Sequence, residues 1–119
     1  MNFGQAITSM YKKYATFTGR ARRSEYWWAL LYYAIVAEVI NFATTTYSID
    51  PVTGISMPVY SPIYYIWILG HFLPFLGLGI RRMHDLGKSG AYILIPIYNI
   101  VLLATDSVPG QNAYGAPVK

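Results

Sequence analysis

Apolar residues gather into three runs separated by short polar segments. The first, Tyr26 to about Tyr47, reads YWWALLYYAIVAEVINFATTTY; the second, Val59 to Ile80, reads VYSPIYYIWILGHFLPFLGLGI. Each has about the 20 residues an α-helix needs to cross the hydrocarbon core of a bilayer. The third, Ala91 to Ala104, is shorter and contains Pro96. Stretched to Ser89–Thr105 it reaches roughly 25 Å against a core of about 30 Å, so it either crosses or tilts and re-enters. Residues 48–58 and 106–119 carry the Pro, Gly, Ser and Thr of a loop and a loop-like tail.

Residues 1–18 follow another period. Phe3, Ala6, Ile7, Met10, Tyr11, Tyr14 and Phe17 recur at steps of three and four, with Lys12 and Lys13 on the polar face. This predicts an amphipathic helix ending at Gly19. The expected place for it is the membrane interface; packing of its apolar face on the other helices is the alternative. Ser24 is the expected cap of the first span, and Glu25 suits the positive end of its dipole. Tyr26, Trp27 and Trp28 suit an aromatic belt at headgroup depth.

Composition agrees with a membrane chain. Only 12% of the 119 residues are charged and 55% are hydrophobic, which leaves too little polar surface for a soluble domain of this size. The net charge of +4 sits beside apolar runs and does not cover a domain face, which argues against a nucleic-acid module. Without cysteine there is no disulfide framework, thiol nucleophile or Cys-based metal site. The fold class expected is all-α: an integral membrane bundle of three hydrophobic helices (26–47, 59–80 and a short 89–105, crossing or re-entrant), preceded by the amphipathic helix. Five Lys or Arg precede the first span, none lies in 48–58, and three lie in 81–88. The positive-inside rule then puts the N-terminus and the 81–88 loop in the cytoplasm.

Two stretches carry a resemblance. Tyr14-x-x-Phe17-x-Gly19-Arg20-Ala21-Arg22-Arg23-Ser24-Glu25-Tyr26-Trp27 and Arg81-Arg82-Met83-His84-Asp85-Leu86-Gly87-Lys88-Ser89-Gly90 resemble the two signatures of the bacterial "domain of unknown function 805" membrane family. A tail with Gly110, Asn112, Tyr114 and Gly115 fits as well. Met83 replaces the usual Leu, Ala91-Tyr92 a common Trp pair, and Ala116 a frequent Pro. The resemblance implies a small multi-pass protein of the bacterial plasma membrane and supplies no activity.

Two groups of residues are candidates for function. Glu38, His71 and Asn99 lie roughly 15–20 Å from the expected cytoplasmic edge, and Asn41 follows Glu38 by three residues on the same helix face. They predict an intramembrane polar layer, read either as interhelical hydrogen bonding or as an ion path. Arg20, Arg22, Arg23, Arg81, Arg82, His84 and Lys88 gather at one membrane face with Glu25 and Asp85. Their expected ligand is an anionic lipid headgroup or a partner's acidic segment, and internal Arg–Glu25 and Arg–Asp85 pairs are the alternative. His84 and Asp85 are adjacent, so they form no preformed dyad. No nucleophile elbow, paired carboxylates, phosphate loop or His-based metal spacing occurs. No catalytic, cofactor or metal site is therefore expected. The expected role is an accessory or scaffold subunit, as a homo-oligomer or within a larger membrane complex; an oligomeric channel or transporter using the polar layer is the alternative.

Overall fold

The computed structural model describes residues 1–118. Helix α1 is Phe3–Lys12, α2 is Arg23–Thr44, α3 is Pro62–Gly70, α4 is Phe72–Asp85 and α5 is Tyr98–Ala104; strands β1 (Thr46–Ile49) and β2 (Ser56–Val59) join α2 to α3. A 3-10 helix, Gly90–Leu94, precedes α5. The molecule measures 61 × 28 × 20 Å.

Two stretches, Arg23–Thr44 and Pro62–Asp85, are helical, long and apolar enough to cross a membrane. The second is jointed at His71, three residues before Pro74. Pro74 has no N–H, so it cannot bond the Gly70 carbonyl one turn earlier. That carbonyl instead accepts from the Tyr14 hydroxyl at 2.6 Å.

Two spanning helices are present among the described residues, and the 89–105 segment, expected to cross or re-enter, has no helix long enough to cross. The segment expected as a third span is a 3-10 turn, a sharp reversal and the seven-residue α5. At the reversal Ile97 has φ 67°, and the Tyr98 N–H bonds the Pro96 carbonyl at 2.7 Å, which makes a γ-turn. Both ends of the segment return to the same end of the molecule, where the Arg81–Asp85 motif lies. Gly90 presses on Ile80 so closely that a Cβ there would stand 2.7 Å from it. Leu102 and Leu103 join Met83 and Leu86 in a core cluster. The last carbonyls of α5, which no helical N–H can reach, are taken from outside: Leu103 O by Trp27 Nε1 at 2.9 Å and Arg82 Nε at 3.3 Å, Ala104 O by Arg23 at 3.2 Å.

The amphipathic helix is shorter than expected and is docked on the bundle. Asn2 and Gln5 form a capping box at its start. Its Met10 packs with Ala21, Ala29 and Leu78, and Phe3 stands edge-on to Trp28 with ring centroids 5.8 Å apart. The apolar face therefore covers α2. Ser24 does not cap α2 either: the helix starts two residues earlier, at Arg23, with Arg22 at the cap and no side-chain cap bond.

The loop expected at 48–58 is an antiparallel hairpin, Thr46 pairing Val59 and Ile49 pairing Ser56. Both strands are exposed throughout. Asp50 turns the chain by accepting the Val52 N–H at 2.8 Å, a bond that holds its carboxyl below the ordinary range.

Candidate functional site

The end of α4 is closed by backbone chemistry that explains several motif positions. Lys88 N–H bonds Met83 O at 3.0 Å and Gly87 N–H bonds His84 O at 2.9 Å, a Schellman cap with Gly87 at φ 73°. Ser89 then caps the 3-10 helix by accepting the Ala91 N–H. Gly87, Ser89 and Gly90 are thus needed to end α4 and lay the next segment against Ile80.

The charged motif residues meet inside this end. Arg20 Nε donates to Asp85 Oδ1 at 2.9 Å and Arg82 Nη1 to Asp85 Oδ2 at 3.0 Å. Arg81 Nη1 donates to Glu25 Oε1 at 3.2 Å, and the same oxygen accepts the Ser9 hydroxyl at 2.6 Å. Asp85 and Arg82 are 0% exposed, Arg81 1%, and Arg20 and Glu25 3%. Arg20 reaches further, with bonds to the carbonyls of Asp85, Val108, Gly110 and Gly115. One guanidinium thereby joins all three sequence motifs: its own, that of α4 and that of the tail. His84 Nδ1–H donates to Gly19 O at 2.9 Å, its ring stacks on Tyr114 at 4.0 Å and 3°, and its carbonyl accepts from Asn112 at 3.0 Å.

This cluster is not neutral. Three guanidinium groups, Arg20, Arg81 and Arg82, face two carboxylates, Glu25 and Asp85. Nε and Nη2 of Arg81 and Nη2 of Arg82 are enclosed without a hydrogen-bond partner among the described residues. Around the cluster stand Arg22, which bonds Val118 O; Arg23, 4.0 Å from Asp106 with its side chain 47% exposed; and Lys88, over the Tyr92 ring at 5.3 Å. Lys12 and Lys13 are exposed at the end of α1.

The polar layer expected from Glu38, Asn41, His71 and Asn99 does not assemble within the chain. His71 is buried in a ring of aromatics: Nδ1–H donates to Trp67 O at 2.8 Å, which leaves Nε2 to accept from the Tyr11 hydroxyl at 2.7 Å. Tyr11 also bonds Tyr32 at 2.8 Å, and burial, then that bond, pushes its hydroxyl pKa up. Asn99 donates to Ile93 O at 2.8 Å and shares a cleft with His71. Asn41 accepts from Thr45, the residue that ends its own helix. Glu38 points away from His71 and Asn99, on the outer face of α2 beside Ile35, Val39 and Phe42. Equal depth brought these residues level but not onto one side: Ala37, next to Glu38, takes the buried face.

Ser9, Tyr11, Tyr14, Asn112 and Tyr114 were not singled out as site residues by the sequence. Tyr11 and Tyr14 lie on the aromatic face of α1, and Pro74 marks the carbonyl one of them serves. Asn112 and Tyr114 belong to the tail motif. No group of three or more acidic, His or Cys residues able to hold a metal occurs among the described residues.

These features define a membrane protein with two long apolar helices and a closed ion-pair cluster at one end. The chain belongs to the family described as "Protein of unknown function (DUF805)", which matches residues 14–116. It is 40% identical over 118 residues to the inner membrane protein YhaI of Escherichia coli K12, covering 93% of this chain and 92% of that one. It is 31% identical over 115 residues to the inner membrane protein YhaH of the same strain, covering 91% of each. No solved structure matches.

Proposed function

We propose that this chain is an accessory or scaffold subunit of the bacterial inner membrane whose motif end faces the cytoplasm and holds anionic phospholipid headgroups. The observation that carries the reading is the group of cations, Arg22, Arg23 and Lys88, standing around a buried cluster that itself holds three guanidiniums against two carboxylates. The names of the relatives agree with the membrane. The Lys and Arg bias along the sequence supports the orientation. In this reading Arg20, Arg81, Arg82 and His84 hold the fold, and the headgroup contacts fall to Arg22, Arg23 and Lys88, with Lys12 and Lys13 contributing long-range attraction. Each such cation near an anionic leaflet contributes about 1 kcal/mol. A channel or transporter built on the Glu38, Asn41, His71 and Asn99 layer gains no support, since Glu38 lies outside it.

Native mass spectrometry tests the proposal. The pair of substitutions Arg23→Glu and Lys88→Glu should strip anionic phospholipid that co-purifies with the natural chain. Thr53→Glu, in the hairpin turn, should leave it in place. Equal retention in both variants overturns the lipid reading. The orientation has its own test: Thr53→Cys should react with an impermeant maleimide added outside intact cells, and Ser89→Cys should not.

A further inference from the structure

Glu38 is the charged side chain that the fold leaves unexplained. It is exposed on α2, six residues from the end of the helix at Thr44, and so about 9 Å inside that end. It lies in a shallow groove with Ala34, Ile35, Val39, Phe42 and Ala43; Val39 is 61% and Phe42 94% exposed. It has no hydrogen bond or ion pair among the described residues. Lipid satisfies the apolar neighbours but not the carboxyl, which at this depth calls for a polar partner.

Three residues on, Asn41 lies on the same side of the helix. Its Oδ1 accepts from Thr45, while its Nδ2 has no acceptor among the described residues. One helix side therefore carries an unmade acceptor and an unmade donor less than a turn apart. A second copy in the same membrane has the same orientation and presents both groups at the same depth. A two-fold axis along the membrane normal sets Glu38 of each copy level with Glu38 of the other and about 4.5 Å in depth from the other's Asn41, a distance the long carboxyl side chain spans, so the patch complements itself. Ala34 and Ala43 beside the polar groups let two helices approach closely.

We propose that the outer face of α2 is a self-association interface, in which two copies pack α2 against α2 through reciprocal Glu38–Asn41 hydrogen bonds. The inference is independent of the lipid reading, which concerns the other end of the molecule.

The natural chain has no cysteine, so single cysteines report cleanly. Ile35→Cys and Phe42→Cys should form disulfide-linked dimers when membranes are oxidised. Ile66→Cys and Leu69→Cys, exposed on α3, should not. Adding Glu38→Leu should lower the dimer yield roughly tenfold, in line with the loss of interhelical hydrogen bonds. Glu38→Gln, which keeps an acceptor oxygen, should retain the yield. Unchanged thermal unfolding of the Glu38→Leu chain in detergent confirms that the fold survives. The proposal is overturned if α2 cysteines give no self-dimer, if Glu38→Leu leaves the yield unchanged, or if the α2 cysteines link to a different polypeptide instead.

Discussion

At the motif end, Arg20, Arg81, Arg82, Glu25 and Asp85 are all at most 3% exposed, and α1, the tail and the α5 segment wrap the lower halves of α2 and α4. At the hairpin end, α2 and α3 continue as a pair of helices capped by two strands exposed along their whole length. The first region buries charge and makes its hydrogen bonds internally. The second presents Phe42, Ile66, Leu69 and Phe72 outward, each at least 67% exposed. The difference teaches where the fold is specified. Apolar helix surface is content with lipid on any side, so it fixes little. A buried guanidinium is tolerated only with its partner in place, so it dictates which segments must meet.

That contrast can be broken most severely at Asp85. Asp85→Asn leaves Arg20 and Arg82 enclosed without a countercharge and should cost about 4 kcal/mol, read as a collapse of the thermal unfolding midpoint in mild detergent. Gly77→Ala acts on packing instead. Its Cβ would stand 2.9 Å from Thr16 O, pushing the 13–20 segment off α4 at a cost of about 2 kcal/mol in the same measurement. Tyr14→Phe removes one hydroxyl donor and should cost about 1 kcal/mol. The loss should shrink in a Pro74→Ala background, where the restored N–H can take the Gly70 carbonyl. Ile66→Ala, in the bare helix pair, should change stability by less than about 0.5 kcal/mol. A large effect there would mean that this end is packed as tightly as the other.

The long helices were legible because an uninterrupted apolar run has few other readings. The joint at His71 follows from Pro74, which takes one N–H out of the second run. The third run left crossing and re-entry open because its length and hydropathy suited either, while the reversal at Pro96–Ile97 depends on anchors far along the chain: Arg82 and Trp27 hold Leu103 O, and Arg23 holds Ala104 O. The charged residues of the candidate site were visible in the sequence as a cluster. Their burial was not, because it depends on the tail folding back to give Arg20 the carbonyls of Val108, Gly110 and Gly115. Glu38 was placed at the right depth, but depth does not say which way a helix faces.

The central claim, that the motif charges serve to close the fold, is tested most directly by a double-mutant cycle on Glu25 and Arg81, bonded at 3.2 Å and almost fully enclosed. Thermal unfolding in detergent would be measured for Glu25→Ala, Arg81→Ala and the pair together. The account predicts that each single change strands a buried charge, and that the double variant is less damaged than the sum by about 2 kcal/mol or more. Losses that simply add would contradict it.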